Sequence, residues 1–277
     1  EINTKTGKKI KTTGCHPIMI YRDGKIVSEL VENIKEGDLI STPRVLNLPE
    51  NEFEIKGIKI DEDFSRFIGY LIGDGYITSN RIELVNSEES ILNDFEYLAN
   101  KFGLIVKYKK HVGNATRIIC WSREFPTLMK ELLKSDSLLH LTTNYKNIPS
   151  EIMFSRKKVL ANFLAGLFDC DATVRKDNPT FEYTTKNENL ANQVQLSLLR
   201  FGIVARKESR FKHATNTKEK KKREYFYIIV EGKDKLKILY ENIPIKSKLK
   251  AKRLKYFAFN KIVSGSNIDV LPQETNK

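Results

Sequence analysis

No stretch of this 277-residue chain is apolar for long enough to cross a bilayer, and its first ten residues, EINTKTGKKI, lack the apolar core of a secretion signal. Neither a membrane span nor an exported chain is expected. Cysteine is scarce: Cys15, Cys120 and Cys170 are odd in number and form no C-x-x-C pair. That argues against a structural zinc site and for a reducing compartment, the cytoplasm. Acidic charge is also short, with 35 Asp+Glu against 48 Lys+Arg. A hydrophobic content of 40% still supplies a core, so the chain reads as globular rather than disordered.

The resulting net charge of +13 is not spread evenly. Residues 203–261 hold 19 Lys+Arg and 6 Asp+Glu, a difference of +13, and the rest of the chain is balanced. A concentrated basic segment points to a polyanion, most commonly nucleic acid. A well-solvated, lysine-rich surface is the alternative reading of the same charges.

The chain also contains itself twice. Phe67–Lys110 (FIGYLIGDGYITSNRIELVN…LIVKYKK) and Leu164–Ser209 (LAGLFDCDATVRKDNPTFEY…GIVARKES) place Asp74 and Asp171 at matching points. Phe102-Gly103 and Phe201-Gly202 also match, after two extra residues in the second copy. Each copy reads as an apolar helix, a hairpin, a helix ended by Gly103 or Gly202, a second hairpin and a closing helix. The expected fold class is therefore α+β, a pseudo-twofold repeat of αββαββα. The expected divisions are 1–60, 61–150 (first repeat), 151–262 (second repeat) and a tail, 263–277. A repeat of about a hundred residues is too long for a solenoid but suits a monomer that mimics a symmetric dimer on a roughly palindromic duplex.

Leu164–Ala172, LAGLFDCDA, and more weakly Phe67–Gly75, FIGYLIGDG, match the nine-residue motif that names a family. With both in register, the chain resembles the LAGLIDADG homing endonucleases carried by inteins of archaeal type. Small residues at Gly69, Gly73, Ala165 and Gly166 leave room for two helix backbones to approach, with Ile68, Leu71, Leu167 and Phe168 filling the seam. Packing them side by side brings Asp74 and Asp171 together, each at the negative end of a helix dipole. A divalent cation would relieve that repulsion, and oxygen ligands with phosphate chemistry favour Mg2+. The resemblance implies two or more such ions, held at Asp74 and Asp171 with neighbouring Gly73 and Cys170. Asp169, whose counterpart is Ile72, is expected to cap or pair locally rather than to serve catalysis.

The resemblance further implies a lysine within K-x-I-P ahead of the second motif, here Lys146-Asn147-Ile148-Pro149, and a partner after the second repeat. Among Lys246, Lys248 and Lys250, Lys250 is the favoured partner and Lys248 the second choice. Strands of the four hairpins offer candidate DNA contacts at Arg81, Lys107, Lys109 and Arg117 in the first repeat. In the second they are Arg175, Lys176, Arg206, Lys207 and Arg210, followed by Lys248. The loop Lys218–Glu224 could extend the footprint or lie solvated. Ahead of the repeats, Thr13-Gly14-Cys15-His16 and Lys35-Glu36-Gly37-Asp38 are similar to an intein splicing block, in which Thr13 and His16 would assist acyl shift. The terminal residues Glu1 and Lys277 are not those of a complete intein, so self-splicing is not expected. The expected function is metal-dependent cleavage of both strands of a long pseudo-palindromic DNA site by a monomer. A DNA-binding protein without nuclease activity and an RNA maturase are the alternatives.

Overall fold

A computed structural model describes residues 1–111, 113–134, 146–213 and 222–260. The basic loop beginning at Lys218 falls partly outside the described residues, and the 263–277 tail wholly so. Short strands open the chain: β1 (Ile2–Asn3), β2 (Lys9–Ile10), β3 (Pro17–Arg22), β4 (Lys25–Leu30), β5 (Leu39–Ile40), β6 (Glu54–Ile55) and β7 (Ile58–Lys59). The first repeat follows as α1 (Glu62–Gly73), β8 (Gly75–Ile77), β9 (Arg81–Asn86), α2 (Glu89–Lys101), β10 (Ile105–Lys110), β11 (Thr116–Trp121) and α3 (Glu124–Leu133). After a single helical turn, α4 (Ser150–Met153), the second repeat runs α5 (Lys157–Asp171), β12 (Ala172–Val174), β13 (Thr180–Thr185), α6 (Glu188–Leu199), β14 (Arg206–His213), β15 (Lys222–Glu231) and α7 (Lys233–Asn242). A further helix, α8 (Lys248–Phe259), ends the described chain.

Each repeat builds one antiparallel four-stranded sheet with the same connectivity, β10-β11-β9-β8 in the first and β14-β15-β13-β12 in the second. Side-chain alternation assigns the faces. Ile82, Leu84, Ile118 and Cys120 of the first sheet, and Phe181, Tyr183, Ile228 and Val230 of the second, are buried against the helices. The opposite face of each sheet carries most of the polar residues.

Local chemistry sets the helix ends. The Asp61 carboxylate accepts the Phe64 amide at 2.8 Å and starts α1, and the Asn187 side chain accepts the Leu190 amide at 3.0 Å and starts α6. Both α2 and α6 end on a glycine of positive φ, Gly103 at 71° and Gly202 at 76°. There the amides of Leu104 and Ile203 reach back to the carbonyls of Ala99 and Leu198 at 3.0 Å each. With the glycine amides bonded to the carbonyls of Asn100 at 2.9 Å and Leu199 at 3.1 Å, each helix makes both bonds of a Schellman ending, which glycine forms without steric cost.

α1 and α5 cross at the centre of the molecule and are buried almost all round; every residue of α1 from Phe64 to Gly73 is buried. A Cβ on Gly69 would collide with the Phe163 carbonyl oxygen, and one on Gly166 with the Arg66 carbonyl oxygen. The two glycines face one another across the seam, so backbone lies on backbone where side chains would hold the helices apart. Both helices start earlier than their apolar cores suggest. Their first turns carry charged residues, Glu62 and Asp63 in one and Lys157 and Lys158 in the other, which hide the boundary in the sequence.

Two stretches of the first sixty residues lie against the second repeat. The Thr6 carbonyl accepts the Lys207 amide and the Gln195 side chain, both at 2.9 Å, so this segment borders strand β14. Further on, the Leu46 amide reaches the Leu199 carbonyl at 3.0 Å, and Glu50 lies 3.7 Å from the buried Arg200 guanidinium.

Candidate active site

Asp74 and Asp171 stand where α1 and α5 give way to β8 and β12. The residues just before them touch: a Cβ on Gly73 would come within 2.6 Å of the Cys170 Cβ. The two carboxylates sense each other, since Asp74 helps raise the pKa of Asp171. Desolvation is the larger cause, and together they push Asp171 up to about 6. The Asp74 side chain retains solvent access, yet the protein atoms crowding it also hold its pKa above the ordinary aspartate value, against the pull of Lys146, a hydrogen bond with Cys170, and Lys250.

Two lysines converge on this point from segments distant in sequence. The Lys146 ammonium donates to the Gly73 carbonyl. The Lys250 ammonium donates to the Phe168 carbonyl at 2.9 Å and to the Asp169 carbonyl. Each thus sits on the negative end of one of the two central helices. Both lower the pKa of both aspartates, so the four charges share one site. Burial in turn depresses the Lys250 ammonium below its ordinary value.

The segment bearing each lysine is anchored on the other repeat. The chain following the first repeat docks on α6: Asn187 donates to the Lys146 carbonyl at 2.8 Å, and the Ile148 amide donates to Gln193 at 2.8 Å. The chain following the second repeat docks on the start of α2, where Glu88 accepts the Ser247 hydroxyl at 2.7 Å and the Lys248 amide at 2.6 Å. Glu88 and Asn187 hold equivalent positions at the starts of α2 and α6; Asn187 also caps its helix, whereas the Glu88 carboxylate is given over to the docked segment.

Asp169 belongs to the same anchor. Its carboxylate accepts the amides of Lys246 at 3.0 Å and Ser247 at 2.9 Å and the Tyr70 hydroxyl at 3.3 Å. Tyr70 also donates to Asp94 at 2.9 Å, and the Lys246 ammonium reaches Asp94 at 3.0 Å. Asp169 fixes the turn that carries Lys250 and has no equivalent at Ile72. Burial pushes its pKa up to about 6, against the pull of these donors.

Most of the other candidate residues fall where strand alternation puts them. Arg81, Lys107, Lys109 and Arg117 share the outer face of the first sheet, in the register Arg81↔Trp121, Lys107↔Ile119 and Lys109↔Arg117. Arg206 and Arg210 share the outer face of the second, and Arg175 reaches it from the adjoining turn, its guanidinium 3.0 Å from Glu182. Lys176 is exposed in that turn. Lys248 is exposed at the first residue of α8.

Lys207 departs from the expected set. Strand alternation turns it to the helix side of β14, where its ammonium is buried on Glu188 at 2.9 Å and on Asn192. It braces the sheet against α6 and does not share the face of Arg206 and Arg210. Thr13 and His16 lie exposed in the turn before β3, joined by a backbone bond of 3.2 Å and without a contact to the aspartates.

The donor set at the helix ends suits a hard cation. It offers two carboxylates beside backbone carbonyls and no soft ligand, because burial keeps the Cys170 thiol protonated. Among the described residues no three acidic, histidine or cysteine side chains form a closed cage. That is compatible with Mg2+, which takes one or two carboxylates and leaves its remaining positions to water and phosphate oxygens.

Comparison with known proteins gives a consistent result. The chain is 29% identical over 92% of its length to part of the replication factor C small subunit of Methanocaldococcus jannaschii, where the match spans 13% of the relative. It is 26% identical over 99% of its length to part of the ATP-dependent DNA helicase Hel308 of the same organism, spanning 22% of it. A third match, 28% identical over 61% of this chain, spans 23% of transcription initiation factor IIB, again of Methanocaldococcus jannaschii. The chain thus spans under a quarter of the length of these curated relatives. Among solved structures, I-DmoI in complex with DNA and Ca superposes with a TM-score of 0.50 at 12% identity, covering 71% of this chain and 98% of that one. Full-length DUF199/WhiA from Thermatoga maritima gives a TM-score of 0.50 at 15% identity, covering 75% and 63%. These two likenesses establish the fold. The model of the LAGLIDADG-like domain matches residues 61–136 and 158–244, the two repeats just described, and the chain belongs to the LAGLIDADG-like domain family.

Proposed function

We propose that the chain is a site-specific DNA endonuclease that hydrolyses one phosphodiester in each strand of a long, near-palindromic duplex, working as a monomer with Mg2+. The observation that carries this reading is the convergence of Asp74, Asp171, Lys146 and Lys250 at the ends of the paired helices, where the two sheets begin. Tyr76 and Thr173 lie on the outer faces only two residues past the acids, opposite Glu83 and Glu182 in register, so a duplex lying along those faces passes over the aspartates. One member of the superposed fold, I-DmoI, was itself solved with DNA and a divalent ion.

In this reading the two carboxylates and the adjacent carbonyls of Gly73 and Cys170 would hold the cations. Bound Mg2+ would supply Lewis-acid stabilisation of the phosphoryl oxygens and ease ionisation of the attacking water. Hydrolysis forms one P–O bond to water oxygen and breaks one to the leaving sugar oxygen, which gains a proton. Lys146 and Lys250 place a positive charge beside each carboxylate and so offset negative charge as it develops on phosphate. The depressed pKa of Lys250 also lowers the cost of giving up a proton there.

A second element of the proposal concerns origin. Nearly all of this chain matches 13% of a replication factor and 22% of a helicase, proteins of unrelated name. A unit that recurs as a minor part of unlike proteins behaves as an inserted element, as an intein-borne nuclease would. Thr13 and His16 are then splicing residues of the element, exposed in the turn before β3. The test of activity is incubation with a duplex selected by binding from a randomised library. Cutting of both strands is expected with Mg2+ and no cutting with EDTA. Equal cutting in both conditions would overturn the role of the metal, and no cutting in either would overturn the nuclease.

A further inference from the structure

The outer face of each sheet holds a covered carboxylate at the same strand position, where a DNA-binding surface would be expected to avoid one. Glu83 is the third residue of β9 and Glu182 the third of β13; they lie opposite Ile119 and Ile229 in matching registers. Each is gripped by two arginines. Glu83 lies 2.7 Å from Arg81 and 3.6 Å from Arg117. Glu182 lies 3.0 Å from Arg175 and 3.6 Å from Arg210, which is also held by Glu208 of the same strand at 2.8 Å. The carboxylate side chains are only 6% and 15% exposed, whereas the four arginine side chains are 35–45% exposed. The carboxylates are covered, and the guanidiniums above them remain open to solvent.

The acids occupy equivalent positions, but the arginines do not. In the first repeat they come from β9 itself and from β11, in the second from the hairpin turn and from β14. Unrelated strand positions have supplied two guanidiniums to the same carboxylate in each half. A bare outward carboxylate would repel phosphate; one covered by guanidiniums is screened from it, and the ion pairs limit the directions their planar donors can take. Aromatic faces add to the hold, with Arg81 5.6 Å from the Trp121 ring centroid and Arg210 4.5 Å from that of Tyr227.

We propose that Glu83 and Glu182 are specificity-positioning residues: each orients its arginine pair to read base edges, guanine above all, in one half of the DNA site, without touching DNA itself. Guanine presents two acceptors in the major groove that match a fixed guanidinium. Because the arginines come from different strands, the two halves of the preferred site should differ, giving an imperfect palindrome. This rests on the DNA-binding reading above.

The test is the base-preference profile selected from a randomised duplex library in EDTA, for the parent chain, Glu83→Gln and Glu182→Gln. Each variant should flatten the profile over one half only, with discrimination falling about ten-fold at the affected bases. Affinity for a scrambled duplex should rise, and the slope of log K against log salt should steepen by about one. Arg117→Ala should flatten the same half as Glu83→Gln. Thermal melting checks folding, and if the more buried Glu83 site does not tolerate glutamine, Glu182→Gln carries the test. Profiles unchanged in both halves, or flattened equally in both, would overturn the assignment while leaving the nuclease reading standing. Failure of the parent chain to enrich any duplex would overturn both.

Discussion

Asp74 and Asp171 end helices whose last carbonyls already present negative charge, and they do so side by side. Such a pair is costly until a cation or a proton arrives. With Asp171 raised to about 6, cutting should climb as pH rises through about 6, as the carboxylate ionises and can hold a cation. Linkage gives the matching stability statement. A carboxyl whose folded pKa exceeds its unfolded value stabilises the fold below the unfolded pKa, and that contribution is lost as pH rises through the folded one. In metal-free protein, Asp171→Asn should therefore raise Tm by a few degrees at pH 8 and by little at pH 4. An equal shift at both would contradict the raised pKa. Asp169 acts one step away. Asp169→Asn should slow cutting by loosening the turn that bears Lys250, while KM changes little and Asp169→Glu restores part of the rate. It should also let nicked product accumulate, because the Lys146 side has no such anchor at Ile72. Equal slowing of both strands would argue for a general structural effect. The paired aspartates were legible in the sequence because they recur in register. The work of Asp169 was not, because its partners, Lys246, Ser247 and Tyr70, lie 77, 78 and 99 residues away and form no local pattern.

At the scale of elements, the central helix pair depends on the absence of side chains at two points. Gly69→Ala or Gly166→Ala would drive a methyl into a backbone carbonyl of the partner helix, and neither backbone can yield without moving the helix. Each should cost roughly 1–3 kcal/mol or more by overpacking, read as a lower urea midpoint. A loss below ~0.5 kcal/mol, the range of ordinary surface changes, would mean the helices can part freely. The strands, turns and glycine stops of both repeats followed from alternation and turn chemistry. Helix α8 did not, because Lys248–Phe259 carries lysines at 248, 250, 252 and 255 and buries only Leu254, Phe257 and Ala258. Its apolar stripe is too thin to announce a helix, and packing against α7 and β12 supplies what the pattern lacks. Lys207 was misplaced for a related reason. Basic residues at 206 and 207 are adjacent, and only the register of β14 decides which one faces the helices.

For the whole molecule, the charge surplus between residues 203 and 261 should make DNA affinity steeply salt-dependent, falling roughly 10³–10⁵-fold between about 50 and 200 mM salt if six to ten phosphates are contacted. A slope near zero would remove nucleic acid as the partner. The twofold plan was visible in the sequence as a repeat. The exchange of lysine-bearing segments between halves was visible only in three dimensions, because it joins each repeat to the chain that follows the other. That exchange makes the two halves interdependent at one shared centre. The most direct measurement of the central claim is therefore made on both aspartates together. Asp74→Asn and Asp171→Asn preserve shape and remove charge, and each is compared with the parent chain on the same selected duplex in Mg2+. Both variants should bind the duplex as tightly as the parent or more so and cut neither strand, the mark of a group that acts on the transition state. Double-strand cutting by both variants at the parental rate would show that Asp74 and Asp171 are no more than helix ends.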